Sequence, residues 1–199
     1  MFRVPERFST EADVPLPGDV DLPAILSDVP RGYSLKGMFF ARFVGEAWPV
    51  VEKDLDLPPP SGKYHAFESY PLSDYIRVFD RIARARFPGS TREAYRLLAR
   101  GEVEVFAATT LGKVTFSMLR DPEVALERYP ELFGVLSKGP VVHAERTGPK
   151  RIGVTYQQLS GSTEYIVGVL EGLAMAFDVV PSLDVDIDAS RRAVFTVRW

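Results

Sequence analysis

The chain has no cysteine, which at once excludes disulfides, thiolate catalysis, thiolate–metal ligation and S-palmitoylation. A thiol-free chain fits a reducing compartment. Histidine is almost as scarce. His65 and His143 are the only two, and neither has a partner histidine at ligand spacing. No apolar run is long enough to cross a bilayer; the longest, around Met38-Phe39-Phe40 and Phe43-Val44, is short and flanked by charge. The opening Met1-Phe2-Arg3-Val4-Pro5-Glu6 lacks the apolar h-region of a secretory signal. Net charge is −3, so there is no basic excess to neutralise phosphates. G-x-S-x-G elbows, P-loops, H-E-x-x-H helices and dinucleotide-type Gly-rich turns are all missing. These absences lead us to expect a cytoplasmic protein with no membrane insertion, no nucleic-acid partner, no metal site and no cofactor.

What is there is apolar and patterned. At 199 residues with 46% apolar and 12% aromatic content, the chain can bury a sizeable core without a metal or disulfide. It divides into a Pro-rich arm over 1–30 and a single α+β domain over 31–199. The arm holds Pro5, Pro15, Pro17, Pro23 and Pro30, too dense for a continuous helix, and reads as extended or irregular. Its apolar Val14, Leu16, Val20, Leu22, Ile25 and Leu26 can pack along the body. From Gly32 to Trp48, Leu35, Met38, Phe39 and Phe43 fall on one side of a short helix, and Pro58-Pro59-Pro60-Ser61-Gly62 breaks the chain. A helix follows Tyr70-Pro71, capped by Ser73 or Asp74, and ends at Phe87-Pro88-Gly89. Ser90-Thr91-Arg92-Glu93 has the form of a reciprocal capping box, opening a helix that contains Gly101. Asp121-Pro122-Glu123 is an N-cap, an N1 proline and a first-turn acid.

The last sixty residues read strand–strand–helix–strand–strand. Alternation predicts strands over 140–145 and 151–156, joined by a turn through Arg146-Thr147-Gly148-Pro149-Lys150. A helix over 163–177 presents Ile166, Val169, Leu170, Leu173 and Phe177 on one face. Val185 and Ile187 alternate with Asp184, Asp186 and Asp188, and Phe195, Val197 and Trp199 alternate with Val194, Thr196 and Arg198. A hairpin through Ala189-Ser190-Arg191 joins the two. The expected fold is a helical N-terminal part packed on a four-stranded antiparallel sheet.

Little of this is catalytic. His65 and His143 can each serve as a general base or iron ligand, or simply pack. Asp184, Asp186 and Asp188 on one strand face suit either a hard cation or a charged edge that resists aggregation. Ser160-Gly161-Ser162 at a helix start suits either an anion or ordinary capping. Gly168 and Gly172 call for a close neighbour, read here first as the sheet, though a partner subunit or a flat ligand would also suffice. No paired acid and base emerges, and the reading is non-enzymatic.

Five stretches together resemble an uncharacterised family of about two hundred residues, expanded as paralogues in myxobacteria. They are Ser34-Leu35-Lys36-Gly37-Met38-Phe39-Phe40; Tyr70-Pro71-Leu72; Phe87-Pro88-Gly89 with Glu93-Ala94-Tyr95-Arg96-Leu97-Leu98; Thr110-Leu111-Gly112-Lys113; and Val197-Arg198-Trp199. More distantly, the helical part with the 152–156 strand, the long helix and the closing strands looks like a wider superfamily. It unites haem nitric-oxide/oxygen-binding domains, 4-vinyl-reductase-type sensors and a Golgi transport-complex subunit. That resemblance implies a pocket between helices and sheet. Haem-binding members carry an axial histidine on the helix before a Tyr-Pro, and a Tyr-x-Ser-x-Arg clamp. Here residues 121–129 contain no histidine, and Gln158 and Ser160 follow Tyr156 where serine and arginine would stand. The expected function is therefore a cytoplasmic sensor or small-molecule-binding module, without haem. Its apolar pocket would be lined by some of Phe79, Phe106, Phe116, Tyr156, Tyr165, Val169 and Phe177. The alternative is a homodimeric interaction adaptor that offers the arm or the 184–188 edge strand to a protein partner.

Overall fold

A computed structural model describes residues 5–42, 44–45 and 64–199. The expectations for Phe43, Trp48 and the Pro58–Gly62 break lie outside the described residues. The larger sheet has five antiparallel strands, β1 (Glu6–Glu11), β5 (Val142–Gly148), β6 (Arg151–Tyr156), β7 (Ser182–Ile187) and β8 (Ala193–Arg198), in the order β1-β7-β8-β6-β5. Four strands were expected; the fifth comes from the arm, where Glu6 pairs with Ile187 and Glu11 with Ser182. The 184–188 segment is thus not an open edge, because β1 occupies its ladder. A smaller sheet, β3-β2-β4, is made of β2 (Ser34–Lys36), β3 (Ser69–Pro71) and β4 (Ser137–Lys138).

The helices are α1 (Leu22–Ser27), α2 (Gly37–Arg42), α3 (Leu72–Arg86), α4 (Thr91–Ala108), α5 (Thr110–Met118), α6 (Pro122–Glu127), α7 (Tyr129–Leu136) and α8 (Thr163–Met175). Several local expectations shift. Leu35 lies on β2 instead of a helix, centred between Tyr70 and Ser137. Helix α3 starts directly after Pro71, so Ser73 and Asp74 fall inside its first turn and do not cap it. Asp121 caps α6, accepting from the Val124 amide at 2.9 Å, and Ser162 caps α8.

Two apolar cores flank α8. On one side, alternate residues of β6, β7 and β8 (Ile152, Val154, Val185, Phe195, Val197) pack with Leu126 of α6 and Leu170 of α8. On the other, Phe79 and Ile82 of α3 pack with Tyr95 and Ala99 of α4, Leu35 and Phe40. Helix α8 is buried nearly all round, as a helix between two layers must be. Its Gly168 and Gly172 face α4, not the sheet as expected. A Cβ on Gly168 would lie 2.1 Å from the Arg96 carbonyl oxygen, and one on Gly172 would lie 2.9 Å from that of Arg100.

Polar clamps fix the arm over the α4–α8 seam. The Arg96 side chain is fully buried and pairs with the equally buried Glu171, at 2.8 Å for the Nη2–Oε1 contact. It also donates to the carbonyls of Glu11 and, at 2.6 Å, of Val14. Arg100 reaches Glu171 at 2.6 Å and the Ala12 carbonyl at 2.9 Å. The expected capping box at Ser90 is half realised. Ser90 accepts from the Glu93 amide, but the Glu93 carboxylate turns outward to accept from Leu16 N–H at 2.8 Å. An acid that would have served its own helix holds the arm instead.

Candidate functional site

Two adjoining cavities, of about 60 and 90 Å³, open where the two cores meet across α8. Leu35, Phe133 and Tyr165 border both. The first lies over the start of α8, against Tyr75, Phe79, Tyr156 and Ser160. The second lies under α4, against Phe39, Glu102, Phe106, Phe116, Tyr129 and Val169. Both are walled chiefly by apolar and aromatic side chains.

Of the residues singled out in the sequence, Phe79 and Tyr156 border the first cavity. Phe106, Phe116 and Val169 border the second, and Tyr165 borders both. Phe177 stands outside the walls and stacks on Phe116 with ring centroids 5.8 Å apart. His143 is exposed on β5, with Nε2 3.3 Å from the Gln157 side-chain amide, and His65 is exposed as well, so neither reaches a cavity. Asp184 is bonded to Ser9 and Arg198 on the outer face of the sheet. Among the described residues no cluster of acids and histidines suits a metal ion.

Tyr156 and Tyr165 were expected at the pocket, but Glu102, Tyr75 and Tyr129 were not. Glu102, in the middle of α4, is buried and accepts hydroxyl hydrogen bonds from Tyr75 of α3 and, at 2.6 Å, from Tyr165 of α8. Burial pushes the Glu102 carboxyl up to about 7, against the opposing pull of the Tyr165 and Tyr75 hydroxyls and of the Arg42 charge. Desolvation likewise raises the phenols of Tyr75 and Tyr165 well above their usual range, and the neighbouring carboxylate raises them further. A second buried pair joins the Tyr129 and Tyr156 hydroxyls at 2.5 Å, and burial raises both phenols. All four tyrosines therefore hold their protons and act as hydrogen-bonding hydroxyls.

One of the buried polar atoms left over borders a cavity. Ser160 Oγ, at the edge of the first cavity, has no hydrogen-bond partner among the described residues. An orphaned hydroxyl in a native-like core calls for a water or a ligand. In sequence terms a glutamate inside the helical pattern of α4 looks solvated. Only the tertiary meeting of α3, α4 and α8 turns it inward.

Residues 30–199 match the model of a family described as "Protein of unknown function (DUF2378)". No curated protein sequence shows significant similarity. Among solved structures the chain is similar to the unliganded Fe(II) H-NOX protein from K. algicida, at TM-score 0.62 and 14% identity. That match covers 82% of this chain and 96% of the other. It is also similar to an H-NOX protein from S. oneidensis in the Fe(II)NO state, at TM-score 0.62 and 13% identity, covering 82% and 98%. At such identities the likeness concerns the fold, which is H-NOX-like and of mixed helix and sheet.

Proposed function

Since the chain belongs to the DUF2378 family and carries an H-NOX-like fold, we propose that it is a non-enzymatic sensor module that binds a small, largely apolar molecule between helices and sheet. The observation that carries this reading is the pair of adjoining apolar cavities bordered by a buried carboxyl, tyrosine hydroxyls and a serine hydroxyl with no partner among the described residues. An apolar concavity with a few placed polar groups is the usual form of a small-molecule site. The wider fold class places its ligands between the same layers, which supports the location but not the identity of the ligand.

The residues present do not suit a haem. Among the described residues neither cavity is bordered by an imidazole or a sulfur. Helix α6 and the Arg128-Tyr129 junction behind it offer no axial histidine. The tyrosines are proton-bearing and bonded to one another or to Glu102, so a phenolate ligand is disfavoured. Tyr156 keeps the first position of the propionate clamp, yet its hydroxyl is engaged with Tyr129, and Gln158 points to an exposed position. The cavities are also small beside the roughly 300–1,000 Å³ of sites for drug-sized ligands.

Native mass spectrometry of the purified full chain, set against its denatured mass, tests the reading. A small-molecule excess lost on denaturation is the expected result, and its mass gives the ligand's size. A clean polypeptide mass from several expression hosts, with no thermal shift by any small aromatic compound, would remove the proposal.

The adaptor reading loses its edge strand to β1, but one observation keeps it in play. Leu111, Val114 and Met118 share one face of α5 and are all exposed. A mass that doubles with concentration, and that returns to monomer in Val114→Lys, would favour it.

A further inference from the structure

We propose that the cavity under α4 takes a small organic amine in its protonated form, with its apolar body among the aromatic rings and its ammonium group paired with Glu102. This rests on the ligand-binding reading above and narrows it to a chemical class. Among the described residues Glu102 is the only charged side chain bordering this cavity, whose walls include the rings of Phe39, Phe106, Phe116, Phe133, Tyr129 and Tyr165. Aromatic faces carry negative potential and attract a cation, most strongly where water is excluded. A carboxylate among such walls is costly unless a positive partner is brought to it.

The geometry leaves room for that partner. An ionised carboxylate offers about four acceptor positions. The Tyr75 and Tyr165 hydroxyls occupy one on each oxygen of Glu102. Acceptor capacity therefore remains for an ammonium, which has up to three donors. The charged and titratable groups that face Glu102 are Tyr75 from α3, Tyr165 from α8 and Arg42 from α2, with Tyr129 from α7 across the cavity. Arg42 sets one guanidinium nitrogen on the Gly101 carbonyl at 3.1 Å. Its field is the weakest influence on Glu102, and the carboxyl stays raised to about 7 in spite of it. The carboxylate is thus under-compensated by its own protein. Among the described residues of this wall an anionic ligand would meet no cation. Lys138 borders only the adjoining cavity. A neutral hydrocarbon would leave the carboxylate as it is.

The test is isothermal titration of the full chain with benzylamine and with benzyl alcohol, its near-isosteric neutral counterpart. It is run on the wild type and on Glu102→Gln, which keeps the side-chain volume and an acceptor for the tyrosines. The expected result is saturable binding of benzylamine at least ten-fold tighter than of the alcohol. Glu102→Gln should abolish that preference without weakening the alcohol. A second measurement needs no variant: wild-type affinity for benzylamine should rise between pH 6 and pH 8, as Glu102 ionises, while that for the alcohol stays level. Equal affinity for both probes, or undiminished amine binding by Glu102→Gln, would overturn the charge pairing and leave the ligand-binding reading standing. Failure of both probes to bind the wild type at millimolar concentration would count against both.

Discussion

Glu102 is the residue on which the most depends, and its protonation gives the sharpest residue-scale prediction. Its carboxyl is raised from 4.5 to about 7 in the folded protein, by burial above all. Between those values the native state holds a proton that the unfolded chain releases. Stability must then fall as pH rises from about 4.5 to about 7, and level off above. The full span corresponds to roughly 3 kcal/mol. Glu102→Gln cannot lose that proton. Its stability relative to wild type, from urea unfolding at a series of pH values, should climb by up to that amount between pH 5 and 7.5 and then flatten. A difference that stays constant with pH would mean that the carboxyl is not buried as described. Tyr165 could be read from sequence as a site residue because an aromatic on the apolar face of a strongly periodic helix has few other places to go. Glu102 could not, since helical periodicity assigns an isolated acid to solvent, and only its tyrosine partners, 27 and 63 residues away, say otherwise. Arg96 is hidden for the same reason: its partner Glu171 lies 75 residues on.

At the scale of elements, the α4–α8 contact is the tightest joint. Gly168→Ala would drive a methyl group to 2.1 Å from the Arg96 carbonyl, which is backbone and cannot swing aside. Gly172→Ala meets the Arg100 carbonyl at 2.9 Å and the Val103 side chain at 3.0 Å. The first should lower stability by about 3 kcal/mol or prevent folding, the second by about 1–2 kcal/mol, as overpacking does. A thermal melt of each variant checks the order; the reverse order, or two neutral changes, would contradict the packing. Strands β6, β7 and β8 were plain in the sequence because each sends large apolar side chains to one face and small, polar or less buried ones to the other, and so alternates. Strand β1 was not. Glu6-Arg7-Phe8-Ser9-Thr10-Glu11 carries a single large apolar residue, and the prolines that follow gave the whole segment the look of an irregular arm. Its pairing rests on backbone hydrogen bonds and on Arg96 and Arg100, which side-chain patterning does not register. Removing residues 1–20 should therefore expose the β7 ladder and leave Arg96 and Arg100 without their carbonyl acceptors. The expected outcome is a lower melting temperature and concentration-dependent association by light scattering. An unchanged, monomeric truncation would show the arm to be dispensable.

For the molecule as a whole, α8 belongs to both cores, and Tyr165 and Val169 touch each of them. Neither layer can lose its packing without stripping a face from the same helix. Thermal unfolding should accordingly be one cooperative transition, with far-ultraviolet and near-ultraviolet circular dichroism changing together. Two separated transitions would mean that sheet and helical layer hold independently. The adjoining cavities are a product of this arrangement, because they lie where the two cores fail to meet completely. No single stretch of sequence records such a gap, which explains why neither Glu102 nor the division in two could be read from it.

The pairing of Ser9 with Asp184 spans 175 positions of the chain. A ribosome adding about 5–20 residues per second would make β1 roughly nine to thirty-five seconds before β7 exists to receive it. Through that interval β1 has no partner, and the large sheet cannot close until β7 and β8, the latter linking β7 to β6, have both been made. A nascent chain stalled before residue 182 would have its helices and no ladder for β1.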